Sequence, residues 1–369
     1  MPVVAPKRPK IFGYNNSNPL WKGPTVDGIT QSMMNSFLAC RERFRIRYID
    51  GLQTTPRFNT PIEYGQMWHT CEEALARKED WEKALMKHGQ NLARQYRGQQ
   101  EQVDYWYRAC KVQFPLYVKH WRSHPDVKGR VPIVQEHQFE IPYELPKSGV
   151  VIKLKGKWDA LDLIKNEGGV FVQENKTKSS VDTPDIMRQL TFDLQTMTYM
   201  VSAVIAQQKK IFPFDKGDIG KIKGVRYNVI RRPLSGGKGS IRQHKPSKKN
   251  PSGETLTEMF ERLTGILKDC PKEQFSRFLA VITPGDVTNF REQFLDPFLT
   301  SVGQWYEGIT GQDLGFDPHY EQSWRHPFGV YNPTDEGFAS DLDEYLRSGS
   351  TSGLERVHTV FPELGSLDK

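Results

Sequence analysis

Five side chains between residues 156 and 199 have types and spacings that suit metal-dependent hydrolysis of a phosphodiester. Asp159 precedes Glu174 by fifteen residues, Lys176 lies two residues beyond Glu174, and Gln195 and Tyr199 are four residues apart. Carboxylate oxygens are hard ligands for Mg²⁺ or Mn²⁺. Such ions activate water and stabilise a departing phosphate oxygen. A lysine beside them can stabilise the charge that develops on the phosphate.

Strands are predicted to present the first three of these side chains. Strand-like patterns cover residues 131–142, 150–164 and 170–176, with a turn at Gly168–Gly169. Asp159 falls on the second of these strands. Because alternate residues of a strand share a face, Glu174 and Lys176 are expected to project together from the third.

A long helix from Pro184 to about Gln208 is predicted to carry the remaining side chains. Gln195 and Tyr199 share one helix face, and Arg188, seven residues earlier, is expected to point roughly the same way. The apolar stripe lies on a different face and comprises Leu190, Leu194, Met197, Val201 and Val204. The pattern therefore predicts a helix with a core side and a polar side.

Each pattern is weak when taken alone. E-x-K triplets and G-x-x-D quartets occur by chance in most chains of this length. On that interpretation Asp159 is a surface strand residue, Lys176 is a solvated strand end, and Tyr199 packs at a sheet edge. The signal is the order and spacing of the whole set.

Composition restricts the class of protein. The chain has 369 residues, of which 37% are hydrophobic and 26% charged, with a formal charge of +7. This mild basicity permits a polyanionic partner without requiring one. No stretch approaches the ~20 apolar residues of a membrane span, so no membrane association is expected. Residues 1–10 contain no apolar core, which argues against a signal peptide and favours the cytoplasm.

The chain is predicted to divide into five consecutive segments. A helical region is expected around residues 32–124, and Pro233–Thr255 is rich in glycine and carries five bases against one acid. That segment is either a plain flexible insertion or an electrostatic clamp on nucleic acid. The predicted segments are an extended arm (1–28), a helical region contributing to the site (29–130), the core (131–232), a flexible basic loop (233–255) and a C-terminal completion and extension (256–369).

Two further features of the helical region leave alternatives open. Four arginines alternate with other residues from Arg41 to Arg47, which fits either a solvated basic helix face or a helix that faces phosphates. The cysteines at 40, 71, 110 and 270 form no C-x-x-C pair, so reduced cysteines that pack in the interior are favoured over a zinc or redox site.

The block Gly156-Lys-Trp-Asp159, Glu174-Asn-Lys176 and Gln195-Thr-Met-Thr-Tyr199 resembles the PD-(D/E)XK nuclease superfamily. It is most similar to the RecB-type branch, which includes phage and prokaryotic recombination exonucleases. The resemblance implies metal binding by Asp159 and Glu174, a catalytic Lys176, and DNA contacts by Gln195 and Tyr199. An earlier G-x-x-x-H pattern, Gly65 to His69, matches the family helix whose histidine joins the metal site. The alternative for His69 is a capped or buried helix histidine.

The resemblance also implies a fold and a cofactor. The expected fold is α/β, a mixed central sheet flanked by helices around a restriction-endonuclease-like core, with an N-terminal helical region and a C-terminal extension. The expected cofactor is Mg²⁺ or Mn²⁺, with the backbone carbonyl of Asn175 as a further ligand. Arg188, Arg41 and Lys178 are the further expected DNA contacts. No iron–sulfur cluster is expected, because such a cluster needs four thiolates and no cysteine follows Cys270.

The function that the resemblance implies is DNA exonuclease activity in recombination, repair or DNA processing. The implied partners are DNA and, in addition, a recombination or replication protein. The compartment would be the host cytoplasm if the chain is phage-encoded. Two alternatives stay open: a nucleic-acid-binding protein with a vestigial nuclease site, and a structure- or site-specific endonuclease of the same superfamily.

Overall fold

A computed structural model of the protein describes most of the chain. The described residues are 18–122, 124, 129–181, 183–217, 219–234, 241–248, 250–269, 271–310, 345 and 349–364. Several features predicted from the sequence lie outside this part: most of the N-terminal arm, residues 236–239 of the basic loop (Gly236, Gly237, Lys238 and Gly239), Lys249, Cys270, and a short helix near Ser340–Arg347 apart from Tyr345.

Three consecutive helices precede three consecutive strands in the middle of the chain, and further helices and strands follow. The helices are α1 (Gln31–Ala39), α2 (Arg41–Phe44), α3 (Thr60–Ala76), α4 (Trp81–Gln95), α5 (Gln100–Trp121), α6 (Thr183–Leu190), α7 (Leu194–Gln208), α8 (Leu256–Asp269), α9 (Pro284–Phe290) and α10 (Asp296–Thr310). The strands are β1 (Ile29–Thr30), β2 (Leu52–Thr54), β3 (Arg130–Glu144), β4 (Val151–Ile164), β5 (Gly169–Lys178), β6 (Ile222–Arg231), β7 (Phe275–Val281) and β8 (Leu354–Arg356).

Six strands form a mixed sheet in the order β1-β4-β5-β6-β7, with β3 also paired to β4. Strand β4 is parallel to β1 and antiparallel to β5, β5 is parallel to β6, and β6 is antiparallel to β7. Helix α3 packs against β5, and α7 packs against β5 and β6. This arrangement confirms the predicted α/β class, a restriction-endonuclease-like mixed sheet flanked by helices. Strands β2 and β8 form a separate antiparallel pair.

The chain forms two compact units that are each discontinuous in sequence. The first unit comprises residues 1–56, 139–156 and 289–369, and the second comprises residues 57–138 and 157–288. Strands β3 and β4 each begin in one unit and end in the other. The division of the chain into five consecutive segments stays a prediction.

The first unit has an aromatic core and a buried ion network. Phe37 and Phe44 contact Trp305 edge to face. Arg45 is completely buried, and its guanidinium donates to Glu42 at 2.9 Å and to Asp50 at 2.6 Å. Burial of a charge is tolerated here because the charge is paired and hydrogen-bonded. The arginine series therefore does not form a uniformly solvated face.

The second unit is built around the packing of α3, α4, α5 and α8 on one another. Tyr64, Trp68 and Phe114 are completely buried in its core. Cys71 and Cys110 belong to the same core, with sulfur atoms 4.0 Å apart. The three described cysteines are free thiols. Among the described residues, no helix combines the length and apolar character that crossing a membrane requires.

The long helix predicted from Pro184 to Gln208 is two helices. The first ends at Leu190 and the second begins at Leu194. Asp193 separates them, because its carboxylate accepts a hydrogen bond from the backbone N–H of Thr196 at 2.7 Å and so caps the start of α7. The predicted polar side of α7 is also largely buried, because Thr196, Thr198 and Ser202 have no exposed surface. Ser202 accepts from the indole N–H of Trp158 at 3.1 Å. Helix α7 is thus a core helix.

Gly224 is expected to be essential for the pairing of β6 with β7. A Cβ at this position would lie 2.0 Å from the backbone oxygen of Ala280 on β7, and neither backbone can yield without breaking the ladder. Gly224→Ala should therefore lower the free energy of unfolding by about 2–3 kcal/mol, in the range of an overpacked core. Chemical denaturation measures this change.

Gly265 of α8 provides the matched control, because a Cβ there would meet nothing within 4 Å. Gly265→Ala should raise stability by up to about 1 kcal/mol through its better helix propensity. Equal stability of the two variants would contradict the steric explanation.

Candidate active site

Three side chains of the second unit converge on one point. The Nδ1 atom of His69 lies 3.7 Å from a carboxylate oxygen of Glu136 and 3.7 Å from Oδ1 of Asp159. One ligand atom from each residue lies within 4.8 Å of the other two. An imidazole nitrogen with two carboxylate oxygens is a donor set that divalent cations accept. These residues therefore fit a metal site.

Helix α3 and strands β3 and β4 each contribute one member of this group. His69 lies in α3, which packs against β5. Asp159 is 8% exposed, and its second oxygen accepts from the backbone N–H of Asn175 at 2.8 Å. Glu136 has a left-handed backbone conformation with φ of 47° inside β3. Such a conformation costs about 1–3 kcal/mol for a residue other than glycine, and such outliers concentrate at functional sites.

Lys157 is joined to the metal-binding group through an ion pair with Glu136. Its ammonium lies 2.5 Å from Glu136 Oε2, while the other oxygen of Glu136 faces His69. Burial opposes the charge of Lys157, but Glu136 raises its pKa above the ordinary value. Lys157 precedes Asp159 by two residues on the same strand.

Glu174, Lys176 and Gln195 form a second connected set. The ammonium of Lys176 lies 2.7 Å from Glu174 and donates to the side-chain oxygen of Gln195 at 2.6 Å. The amide nitrogen of Gln195 donates back to both oxygens of Glu174, at 3.1 and 3.3 Å. Glu174 is 1% exposed. Each polar end of the three side chains is therefore held by the other two.

The first set, which consists of His69, Glu136, Lys157 and Asp159, is coupled electrostatically to the second. Burial, opposed by the charge of Lys176 and assisted by the negative charge of Asp159, raises the pKa of Glu174 to about 7. Burial likewise raises the pKa of Asp159, while His69 lowers it. Perturbed carboxylates of this kind mark functional sites more often than structural ones. A cation bound at the site would favour the ionised form of both.

Other residues singled out from the sequence lie close to these sets. Tyr199 is 8% exposed, and burial, Glu174 and Asp159 raise its pKa well above the ordinary value. The side chain of Asn175 accepts from Gln173 and Asn228. Lys178 is at the end of β5 and partly buried. The DNA contacts of Tyr199 and Lys178 and the metal contact of the Asn175 carbonyl stay predictions.

Two residues that were predicted to contact DNA, Arg188 and Arg41, make their described contacts away from both sets. Arg188 is in α6, separate from the helix of Gln195, and its exposed guanidinium pairs with Asp185. The expected common face with Gln195 was wrong because the helix ends at Leu190. Arg41 is in the first unit, where its guanidinium lies 4.7 Å from the centre of the Phe37 ring.

Glu136 and Lys157 were missed from the sequence. Lys157 could have been found, because it lies two residues before Asp159 and must share its strand face. Glu136 carries no comparable signal, since it is one of several polar residues in β3 and reaches His69 only through the tertiary fold. Glu174 is not part of the group of three, although the sequence pairs it with Asp159 as a metal ligand.

Metal binding at this group is expected to release a proton from His69. Burial opposes the imidazolium, but Asp159 and Glu136 together raise its pKa to about 9. His69 is then protonated at pH 7 without metal, and a ligating imidazole must be neutral. Mn²⁺ affinity should therefore rise with pH until about 9. Calorimetry in buffers of different ionisation enthalpy should show release of about one proton at pH 7.

His69→Gln is the comparison for this measurement. The variant should bind Mn²⁺ more weakly and lose this pH dependence. A pH dependence that is the same in both proteins would contradict the assignment of the proton to His69.

Comparison with known proteins adds one match. A family model described as the PD-(D/E)XK nuclease superfamily matches residues 29–280, more than half of the chain. The matched range contains all the residues of both connected sets. No curated protein matches the sequence.

Proposed function

The chain belongs to the PD-(D/E)XK nuclease superfamily, and from this membership we propose that it is a Mg²⁺- or Mn²⁺-dependent DNA exonuclease of the RecB type. Membership implies metal-dependent nuclease activity, and the two connected sets supply residue types that suit this activity. DNA recombination, repair or processing is the proposed setting, as in the branch that the sequence resembles. A protein of recombination or replication is a further proposed partner.

The observation that carries this proposal is the arrangement of the two connected sets around Asp159. On one side, Asp159 faces His69 with an oxygen 3.7 Å away. On the other, the charge of Asp159 acts on the carboxyl of Glu174, which is joined to Lys176 and Gln195. Asp159 thus belongs to a group that fits a cation and lies next to the set that contains the partly buried Lys176.

Each residue has a proposed role that follows from its contacts. His69, Glu136 and Asp159 would hold the metal, with Glu174 as the adjoining carboxylate. A divalent ion held there would supply an activated water and would stabilise the departing oxygen. Lys176 would stabilise the charge on the phosphate. Gln195 orients both Glu174 and Lys176, because its amide contacts both of them.

A digestion experiment tests the exonuclease assignment. Linear duplex and linear single-stranded DNA, labelled at either end, are compared with covalently closed circular DNA in Mg²⁺, Mn²⁺ and EDTA. Degradation of linear DNA to mononucleotides with intact circles supports the proposal. Discrete fragments from the circles would indicate an endonuclease, and DNA binding without digestion would indicate a vestigial site. Asp159→Asn controls for contaminating nucleases.

The basic segment, residues 241–248 and 250–255, is proposed to contact the DNA backbone. Its acid, Glu254, accepts two hydrogen bonds of 2.7 Å from Arg262 of α8, which neutralise its charge. Arg242, Lys245 and Lys248 are all exposed. The segment therefore presents positive charge that its own carboxylate does not offset.

Replacing Arg242, Lys245 and Lys248 by glutamine should flatten the salt dependence of DNA binding. Each lost phosphate contact reduces the slope of log K against log salt by about 0.9. Binding in Ca²⁺ between about 50 and 200 mM salt measures this slope. The control carries glutamine at Lys165, Lys209 and Lys210. If the two variants have the same slope, the basic segment does not contact DNA and is a plain insertion.

A further inference from the structure

A cavity of about 350 Å³ borders Asp159 and Glu136 in the second unit. Its walls include residues of α3 and α5, and its floor includes residues of β5, β6 and β7. The volume is within the range of pockets that hold small ligands, about 300–1,000 Å³. The two connected sets described above do not account for this cavity.

The floor of the cavity is a row of polar side chains on three adjacent strands. Asn175, Asn228 and Arg277 are register partners across β5, β6 and β7. The guanidinium of Arg277 donates to the Asn228 side-chain oxygen, and the Asn228 amide donates to Asn175 at 2.8 Å. By strand alternation, Asn175 faces away from Glu174 and Lys176. The floor is thus a preorganised set separate from the lysine side of β5.

The helical wall of the cavity contains two buried polar atoms that have neither a hydrogen bond nor an ion pair with any described residue. They are the indole Nε1 of Trp121, whose side chain is 8% exposed, and Oε2 of Glu72. The other oxygen of Glu72 accepts from the hydroxyl of Tyr117 at 2.8 Å. Buried indole N–H groups usually find a partner. One unmatched donor and one unmatched acceptor around the same cavity indicate a ligand that offers both.

The remaining contacts hold these groups in place. The guanidinium carbon of Arg277 lies 4.0 Å from the centre of the Trp121 ring, a cation–π contact that ties the wall to the floor. The space is bordered by three carboxylates and three guanidinium groups, those of Glu72, Glu136, Asp159, Arg122, Arg130 and Arg277. Because these formal charges balance, the lining does not select an anion such as a phosphate. A neutral, planar group with donors and acceptors on its edge matches this lining better.

We propose that the cavity binds the nucleobase of the nucleotide next to the scissile phosphate, unstacked from its neighbours. This inference rests on the proposed DNA nuclease function. Asparagine, glutamine and arginine are the side chains that commonly hydrogen-bond base edges. Enzymes that take a base out of the stack hold it through such edge contacts in a fitted pocket. The border with Asp159 places the cavity beside the proposed metal group.

The test compares oligonucleotides that carry a normal base or an abasic analogue at the terminal nucleotide, with each end examined in turn. Wild-type protein in Mg²⁺ should show a kcat/KM about 10-fold or more higher when the base is present, the size of one or two lost hydrogen bonds. Trp121→Phe keeps the aromatic ring and removes only the N–H. It should reduce this base-to-abasic ratio about 5-fold or more, chiefly through KM.

Two more measurements keep the test decisive. Glu72→Gln, which exchanges an acceptor for a donor, should also reduce the base-to-abasic ratio of kcat/KM. This variant replaces Trp121→Phe in the test if Trp121→Phe does not fold. A terminal 2-aminopurine should become brighter on binding in Ca²⁺ if the base leaves the stack. Trp81→Phe is the matched control, because Trp81 packs on Phe114 and does not line the cavity.

The outcomes separate the two proposals. A wild-type protein that degrades both substrates equally would overturn the base pocket and leave the nuclease assignment standing. Wild-type protein that degrades no DNA would overturn both. An unchanged base-to-abasic ratio in both folded variants would also overturn the base pocket.

Discussion

The Lys176→Ala variant is expected to cleave DNA about 10²- to 10³-fold more slowly than the wild type, the size of losing one group that stabilises transition-state charge. Lys176 lies 2.7 Å from Glu174 and is the nearest cation to that buried carboxyl among the described contacts. The fold should survive, because Glu174 already has a pKa near 7 and can take a proton when its cation is removed. Single-turnover cleavage and thermal unfolding measure the two effects.

Lys157→Ala is the informative comparison for this variant. Lys157 is ion-paired with Glu136 rather than with Glu174, so its removal should change the Mg²⁺ concentration that cleavage requires and leave kcat at saturating Mg²⁺ largely unchanged. Cleavage by folded Lys176→Ala at a rate close to wild type would remove the catalytic role from Lys176. A severe loss of kcat in Lys157→Ala at saturating Mg²⁺ would transfer that role to Lys157.

Asp159→Asn is expected to reduce cleavage by at least about 10³-fold while leaving DNA binding intact. The asparagine keeps an oxygen that can accept from the backbone N–H of Asn175, so the local structure should persist. It removes the negative charge that faces His69, and with it several kcal/mol of metal-dependent stabilisation. Without metal, the variant should bind DNA as well as or better than wild type, because one carboxylate no longer repels the phosphates.

DNA affinity and cleavage rate measured in EDTA, Ca²⁺ and Mg²⁺ test this expectation. Ca²⁺ fills oxygen-rich sites with looser coordination than Mg²⁺, so wild-type protein in Ca²⁺ should bind DNA and cleave it slowly. Glu174→Gln should behave like Asp159→Asn, whereas Glu167→Gln, on the exposed turn before β5, should behave like wild type. Rapid cleavage by folded Asp159→Asn in Mg²⁺ would exclude Asp159 as a metal ligand.

The local geometry of this site is predictable from residue spacing alone. Period-two and period-four spacings correctly predicted that Glu174 and Lys176 share a strand and that Gln195 and Tyr199 share a helix. The structure joins Glu174, Lys176 and Gln195 directly. The mixed sheet flanked by helices was also predicted, and the family match confirms the superfamily. These features follow from residue periodicity and from motif spacing within about forty positions.

The contacts between side chains that are distant in sequence depend on how the chain packs. Glu136 faces His69 across 67 positions of sequence, and Arg277 stacks on Trp121 across a still longer interval. Strand order, register and helix packing bring these atoms together, and no spacing within one element encodes them. The end of α6 has a different, local cause, because the Asp193 cap competes with helix propensity and removes Arg188 from the face of Gln195. Periodicity determines the face of an element, whereas packing determines what that face meets.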